Sequence, residues 1–246
     1  MQGIWPEPWA PAQRILATSV RGAMWMTILI VGIQVTRICG SMFITAAIQV
    51  TLHMSRSRAV TATAVVEKAK MSVKVAVAAV GDGRAVVQAE GDRQRILQIG
   101  PHARLLAGAR QALVAAVSIG SRLDEAAGRK SRLEGYVLDC IGVMALGKVA
   151  DAAAAKAEAE AGSRQWGVGP RISPGSLAGW PMEDVHVLCG MLPLAEAGLK
   201  LSAQGVIDPL KSAVGLIGIG PGYGGSTMGS VCHLCRHREA CWRRRG

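Results

Sequence analysis

Aromatic residues are scarce in this chain: one Phe and two Tyr stand beside six Trp in 246 positions. That scarcity argues against a core of stacked rings and against a surface that reads bases through rows of aromatics. Acidic residues are almost missing from the first 66 positions, where Glu7 stands alone; the other sixteen of the seventeen follow from Glu67 onward. No GxGxxG follows a strand, no phosphate-binding loop sequence occurs, and no internal repeat is found. Ser, His and Asp form no nucleophile motif, and Asp139 and Asp208 have no visible carboxylate partner, so acid–base hydrolysis has no support. Six cysteines are too sparse for a secreted disulfide scaffold.

What is present is apolar mass, 50% of the residues, mostly Ala, Val, Leu and Ile. Small aliphatic groups suit close packing of helices on a sheet. The length allows one sizeable domain or two small ones. The formal charge of +11 is partly a property of the tail, since 236–245 alone contains five arginines.

Residues 1–66 stand apart. The uncharged stretches 22–36 and 38–55 are divided by Arg37, and the second holds His53 and several polar residues. A membrane span needs about 20 mainly apolar residues, and a central Arg is costly. No charged start or small-residue cleavage site marks a signal peptide. A membrane anchor, a buried apolar piece and a segment foreign to the natural protein all fit, so no function is placed here.

Regular patterns begin at Glu67. Val73, Val75 and Val77 alternate as in a strand; 81–83 is a turn, and 84–88 a return strand. A short apolar run, Ile96, Leu97 and Ile99, stops at Gly100-Pro101, where Pro101 opens a helix through Leu105, Leu106 and Ala109. A buried strand is expected over 113–119 and a long helix over about 137–161, where Leu138, Ile141, Ala145, Val149 and Ala152 recur at helical spacing. The Gly- and Pro-rich stretch 166–179 reads as loop. Pro181 starts a helix with Glu183 and Asp184 in its first turn, burying Val185, Leu188 and Leu192. A last strand covers 213–219. The expected fold is α+β: a twisted antiparallel sheet flanked by helices, with a short cysteine-rich C-terminal tail. Its division is 1–66 unassigned, 67–231 domain, 232–246 basic tail.

Two constellations carry chemistry. Arg171-Ile-Ser-Pro-Gly175 sets a fork of donors suited to a carboxylate in a stretch held by Pro174, and Gly175 lets a ligand approach the backbone. Cys232-x2-Cys235-x5-Cys241, flanked by His233 and His237, has thiols spaced to grip one metal ion or one cluster edge. Three cysteines suit a [4Fe–4S] cluster with a fourth ligand from Cys189, Cys140 or a histidine; zinc with three cysteines and a histidine competes. His102 and His186 are lone histidines at helix starts and are read as surface or cap residues. Cys39 has no role.

The run Gly169-Pro-Arg171-Ile-Ser-Pro-Gly175, followed by Trp180-Pro181 and an amphipathic helix, resembles the signature of the activation domain of cobalamin-dependent methionine synthase. Gly198-Leu-Lys-Leu201 and Pro209-Leu-Lys211-Ser212-Ala-Val-Gly215 follow in the family's order, and Gly135-Tyr136-Val-Leu-Asp139-Cys-Ile-Gly142 falls where the family has its preceding helix. The likeness spans roughly 94–231 and is nearer to the stand-alone activation proteins, which often end in a cysteine group.

This resemblance implies binding of S-adenosylmethionine through an Arg-x-x-x-Gly-Tyr motif. Arg171 and Gly175 match its Arg and Gly, while Ser176 stands where its Tyr belongs. Glu158 matches a ligand-contacting Glu, with Glu160 an equal frame, and Tyr223 matches a later Tyr across a gap. Leu201-Ser-Ala-Gln204 replaces the family's Leu-Thr-Glu-Ser. The implied function is accessory: reductive reactivation of a corrinoid protein or methionine synthase, whose cobalamin has slipped to Co(II), with S-adenosylmethionine as methyl donor. The protein would thus be a methyltransferase-associated activation component. It would draw on an electron-donor protein and act in the cytoplasm, with neither nucleic acid nor membrane as partner. Two alternatives stand beside it. One is a zinc knuckle in which Cys232, Cys235, Cys241 and a histidine fold a basic tail whose Arg236, Arg238 and 243–245 contact nucleic-acid phosphates. The other is a degenerate relative that keeps the corrinoid-protein interface without binding S-adenosylmethionine.

Overall fold

A computed structural model describes the backbone of residues 13–20, 24–38, 41–54 and 58–239, and side chains from Met71 to Glu239. The fold is α+β. Its strands are β1 (Gln13–Val20), β2 (Met24–Ile38), β3 (Ser41–Met54), β4 (Arg58–Gly81), β5 (Arg84–Ala89), β6 (Arg95–Leu97), β7 (Gln111–Ser118), β8 (Gly167–Ile172), β9 (Lys200–Leu201), β10 (Ile207–Asp208) and β11 (Ser212–Gly220). Its α-helices are α1 (Arg122–Gly128), α2 (Arg132–Gly162) and α3 (Asp184–Cys189). Nine strands share one sheet in the order β1-β2-β3-β4-β7-β11-β8, with β5 on β4 and β6 on β5. Every pairing is antiparallel. β9 and β10 form a separate small hairpin.

The 66/67 boundary expected from composition falls inside β4, which pairs with β3 through 58–70 and with β7 through 69–76. Among the described residues no helix is long and apolar enough to cross a membrane.

The sheet separates two cores. On one face α2 lies across β7 and β11, burying Leu138, Ile141, Val149 and Ala153 against Ala115, Val117 and Ile119. Further along α2, Ala154, Ala157 and Ala161 meet Leu113, Val168, Ile217 and Ile219. Alanines at these positions let the helix lie close to the strands. Its start is fixed by a capping box: the Ser131 hydroxyl accepts from the Glu134 amide, and the Glu134 carboxylate accepts from the Ser131 amide. The other face carries the larger core, in which Val114, Ala116, Val214 and Leu216 pack with Leu97, Leu106, Ile172, Leu177, Trp180, Val185 and Leu188.

Most elements lie where periodicity puts them, but the helix expected from Pro181 through Leu192 spans only Asp184–Cys189, and the β9–β10 hairpin was not expected. The helix opened by Pro101 is a 3-10 turn (Gly100–Leu106). Helix α1 was not expected. The 166–179 stretch is not all loop: its first part is β8, paired with β11 on the sheet's edge. Its glycines are tolerated because Gly167 and Gly169 form a floor where an added Cβ would strike Tyr223.

Candidate functional site

The Arg171 stretch is built by a bulge. Ile217 pairs with Arg171 and Ile219 with Val168, so β8 uses three residue steps against two on β11. The extra residue turns Arg171 to the α2 face, the same side as Val168 and Ile217. There Arg171 and Ser173 line a cavity of about 60 Å³ with Ala115, Val117, Ala150, Ala153 and Gly215 among its walls. The aliphatic stem of Arg171 passes over Gly215, where an added Cβ would meet its Cγ at 3.5 Å. Apart from Arg171 and Ser173, the cavity is lined by small apolar residues. It holds a few water-sized positions, whereas pockets that enclose cofactor-sized ligands measure roughly 300 Å³ or more.

Beyond β8 the chain reverses at 173–176. The Ser176 amide donates to the Ser173 carbonyl at 3.2 Å, with Pro174 second and Gly175 third at φ +73°, the pattern of a type II turn. The Ser176 hydroxyl is committed to the same turn, donating to the Ser173 carbonyl at 2.6 Å. Gly175 is buried, its amide donates to the Trp180 carbonyl at 3.0 Å, and a Cβ there would collide with the Met182 sulfur. The half-exposed side chain of Met182 lies over Gly175, on the approach that a ligand would take to the backbone there. Trp180 is held in turn, since its indole N–H donates to the buried Asp184 carboxylate at 2.7 Å and the Gln98 amide donates to the same oxygen at 2.6 Å.

The remaining residues matched by resemblance have partners of their own. Glu158 accepts from the Met228 amide at 2.8 Å and so fastens the chain beyond β11 to α2. The alternative frame, Glu160, binds Lys74 at 3.3 Å and Arg164 at 2.8 Å. Tyr223 lies on the far face of the sheet: its hydroxyl donates to the Leu105 carbonyl at 2.8 Å, and its ring covers Gly169 and Gly218. Gly218 alternates with Ile217 and Ile219, so its missing side chain points away from α2. Burial pushes the Tyr223 phenol up to about 12.

The cysteine segment is docked on the body of the protein. Cys232 and Cys235 flank a 3-10 turn (Cys232–Leu234), and the Cys235 amide donates to the Cys232 carbonyl at 3.4 Å. Val231 and Leu234 pack against the larger core. Cys235 forms an antiparallel bridge with Leu177, and the Arg236 amide donates to the Ser176 carbonyl at 2.9 Å. The cysteine turn and the Arg171 stretch, apart in sequence, are thus joined through main chain.

Cys232 and Cys235 thus lie in one turn; Cys241, the third cysteine of the spacing, lies outside the described residues. Among the described residues no three metal-type donors come together. Of the proposed fourth ligands, Cys189 is buried on α3 in the larger core, and burial pushes its thiol up to about 11. Cys140 lies on α2, across the sheet from Leu177. His233 and His237 sit beside the cysteines in sequence and are exposed.

One constellation escaped the sequence. The ammonium of Lys211, 6% exposed, donates to Asp124 of α1 and to Asp139 of α2, the latter at 2.7 Å. Burial alone would lower its pKa, but the hydrogen bonds and charges of the two carboxylates outweigh burial and raise it. Asp139 therefore does have a partner, a lysine shared with a second carboxylate. The signal was Lys211 itself, a charge placed immediately before an apolar strand.

No family model matches the chain, and no curated protein matches it.

Proposed function

We propose that this protein is an accessory component in the reductive reactivation of a corrinoid methyltransferase, with S-adenosylmethionine as methyl donor and a metal- or cluster-bearing C-terminal turn. The observation that carries the reading is the placement of Arg171. Arg171, on the edge strand β8, lines a cavity with Ser173 over an apolar floor, and the cysteine turn is docked on the next turn of the same segment.

In this reading Arg171 holds the carboxylate of the methionine part by a charge-assisted, two-point contact. Ser173 adds a hydroxyl at the same rim. The small-residue floor excludes water from the apolar side of the ligand, and α2 would move outward to admit it, since about 60 Å³ is short of a full binding pocket. The corrinoid on the partner protein is the substrate: its Co(II) gains one electron to become Co(I), which takes the methyl group from S-adenosylmethionine and leaves S-adenosylhomocysteine. A [4Fe–4S] cluster, when bound, supplies the one-electron relay; a zinc ion in its place would be structural. The arginines of the tail present positive charge to an acidic electron-donor protein.

A second reading is favoured by specific observations. Ser176 replaces a tyrosine and its hydroxyl is spent inside its own turn, while Tyr223 lies across the sheet from Arg171. A relative that docks on a corrinoid protein without binding S-adenosylmethionine would look like this.

The two readings are separated by following methylcobalamin formation from cob(II)alamin, a titanium(III) reductant and S-adenosylmethionine. Acceleration by the protein, lost in Arg171→Ala, supports methyl transfer; a rate equal to that without protein supports the second reading.

A further inference from the structure

The turn at 231–235 brings two thiols together without help from any other residue. The Leu234 amide donates to the Val231 carbonyl at 2.9 Å and the Cys235 amide to the Cys232 carbonyl at 3.4 Å. Residues three apart in such a 3-10 turn stand on one side of it. Val231 and Leu234 take the side that packs on the larger core. Cys232 and Cys235 share the next side as free thiols, the first exposed and the second half-buried. A hydrogen-bonded four-residue turn keeps its end Cα atoms within about 7 Å, and a disulfide spans Cα atoms roughly 4.4–6.8 Å apart.

The two cysteines are held differently. Cys235 is bridged to Leu177 and followed by Arg236, whose amide donates to the Ser176 carbonyl at 2.9 Å. The Cys232 amide has only a local partner, the Ser230 hydroxyl at 3.2 Å. An accessible thiol thus stands beside a recessed one on anchored main chain. Thiol–disulfide exchange centres are built this way: the accessible thiol attacks first and its neighbour resolves the intermediate.

We propose that Cys232 and Cys235 form a redox-active dithiol that reduces a low-molecular disulfide carrying carboxylates. The Cys232 thiolate attacks one sulfur of the substrate; its S–S bond breaks, a mixed disulfide forms on Cys232, and the first substrate thiol leaves. The Cys235 thiolate then attacks the Cys232 sulfur, forming the Cys232–Cys235 disulfide and releasing the second substrate thiol. The two protons lost by the cysteines end on the two released thiols, and two electrons pass from the turn to the substrate. The chain running on from Cys235, 236–245, carries five arginines against one glutamate, which draws an anionic substrate toward the turn. A metal would compete for the same thiols, so the proposal describes the metal-free turn and rests neither on the cluster reading nor on S-adenosylmethionine binding.

The test uses the full chain, reduced, freed of metal with a chelator and mixed anaerobically with glutathione disulfide. Remaining thiols are alkylated and the tryptic peptides weighed. Cleavage after Lys211, Arg236 and Arg238 leaves both cysteines of the turn in residues 212–236 and Cys241 in residues 239–243, so an internal disulfide and a link to Cys241 differ in mass. The 212–236 peptide is expected two hydrogens lighter and unalkylated. Cys235→Ser should instead hold one glutathione on Cys232. Cys232→Ser should react at least about tenfold more slowly, since its remaining thiol is recessed. Cystamine, a cationic disulfide, should react more slowly than glutathione disulfide in low salt, with the gap closing as salt rises.

A 212–236 peptide that stays doubly alkylated overturns the proposal, as does a link between 212–236 and 239–243 in place of the internal bond. Equal rates for the two serine variants overturn the role of Cys232 as the attacking thiol. Equal rates for the two disulfides overturn the preference for carboxylates. None of these outcomes bears on Arg171, whose reading stands or falls by titration with S-adenosylmethionine.

Discussion

The hydroxyl of Tyr223 donates to the carbonyl of Leu105 at 2.8 Å, on the face of the sheet opposite Arg171. A residue matched by resemblance to a ligand contact is thus a lock between the segment after β11 and the turn after β6. Tyr223→Phe should lower unfolding free energy by about 1 kcal/mol, the worth of one buried hydrogen bond. S-adenosylmethionine affinity should not change. A large loss of affinity at unchanged stability would show that Tyr223 reaches the ligand after all.

The same phenol predicts a pH dependence. Its folded pKa, about 12, exceeds the unfolded value of about 10, so the native state holds the proton longer. The stability from burying a neutral phenol is complete below pH 10 and lost as pH rises toward 12. Urea denaturation from pH 9 upward should show a decline that is smaller in Tyr223→Phe. Identical profiles would contradict burial of this side chain.

Gly175→Ala should destabilise the protein by about 1–3 kcal/mol, because Ala resists φ +73° and its Cβ meets Met182. Adding Met182→Ala should recover the steric part and leave the backbone part. No recovery in a urea-denaturation cycle would show that Met182 does not occupy the approach to Gly175.

Lys211 joins two helices to the start of β11, and its two partners differ from it in exposure. Asp124 and Asp139 are 32% and 56% exposed and can be rehydrated. Lys211→Met should therefore cost only about 1–2 kcal/mol. The pair Asp124→Asn with Asp139→Asn leaves a buried ammonium uncompensated and should cost more, about 3 kcal/mol. Because the folded pKa of Lys211 is raised, its contribution is present below the ordinary lysine range and fades above it. Equal losses from both changes in denaturant titrations at neutral pH would count against this asymmetry.

Much of the α2–β7–β11 framework was legible, because alternation in 73–77, the apolar run 113–119 and the helical spacing from Leu138 to Ala152 are signals of burial. β8 was missed because strand propensity is weak in Gly167-Val-Gly-Pro-Arg171; its pairing is set by β11 and by the tyrosine that fills the space over its glycines. The partnership of Lys211 with Asp139 was hidden for a related reason. It joins residues 72 positions apart, and no local pattern records which charges a fold brings together. The Arg171 motif and the cysteine spacing were visible as chemistry, but the bridge from Cys235 to Leu177 is a tertiary fact that neither motif contains. Resemblance placed Tyr223 and Glu158 with Arg171, whereas the sheet puts Tyr223 on its other face and Glu158 on a backbone amide.

The central claim is that Arg171 holds the carboxylate of S-adenosylmethionine, and calorimetric titration of anaerobically purified, metal-loaded protein beside Arg171→Ala tests it most directly. The account predicts saturable binding in the first and a loss of at least about tenfold in the second, the scale of one charge-assisted contact of 1.5–3 kcal/mol. Absence of binding to the folded, loaded protein, or equal binding to both, would contradict it.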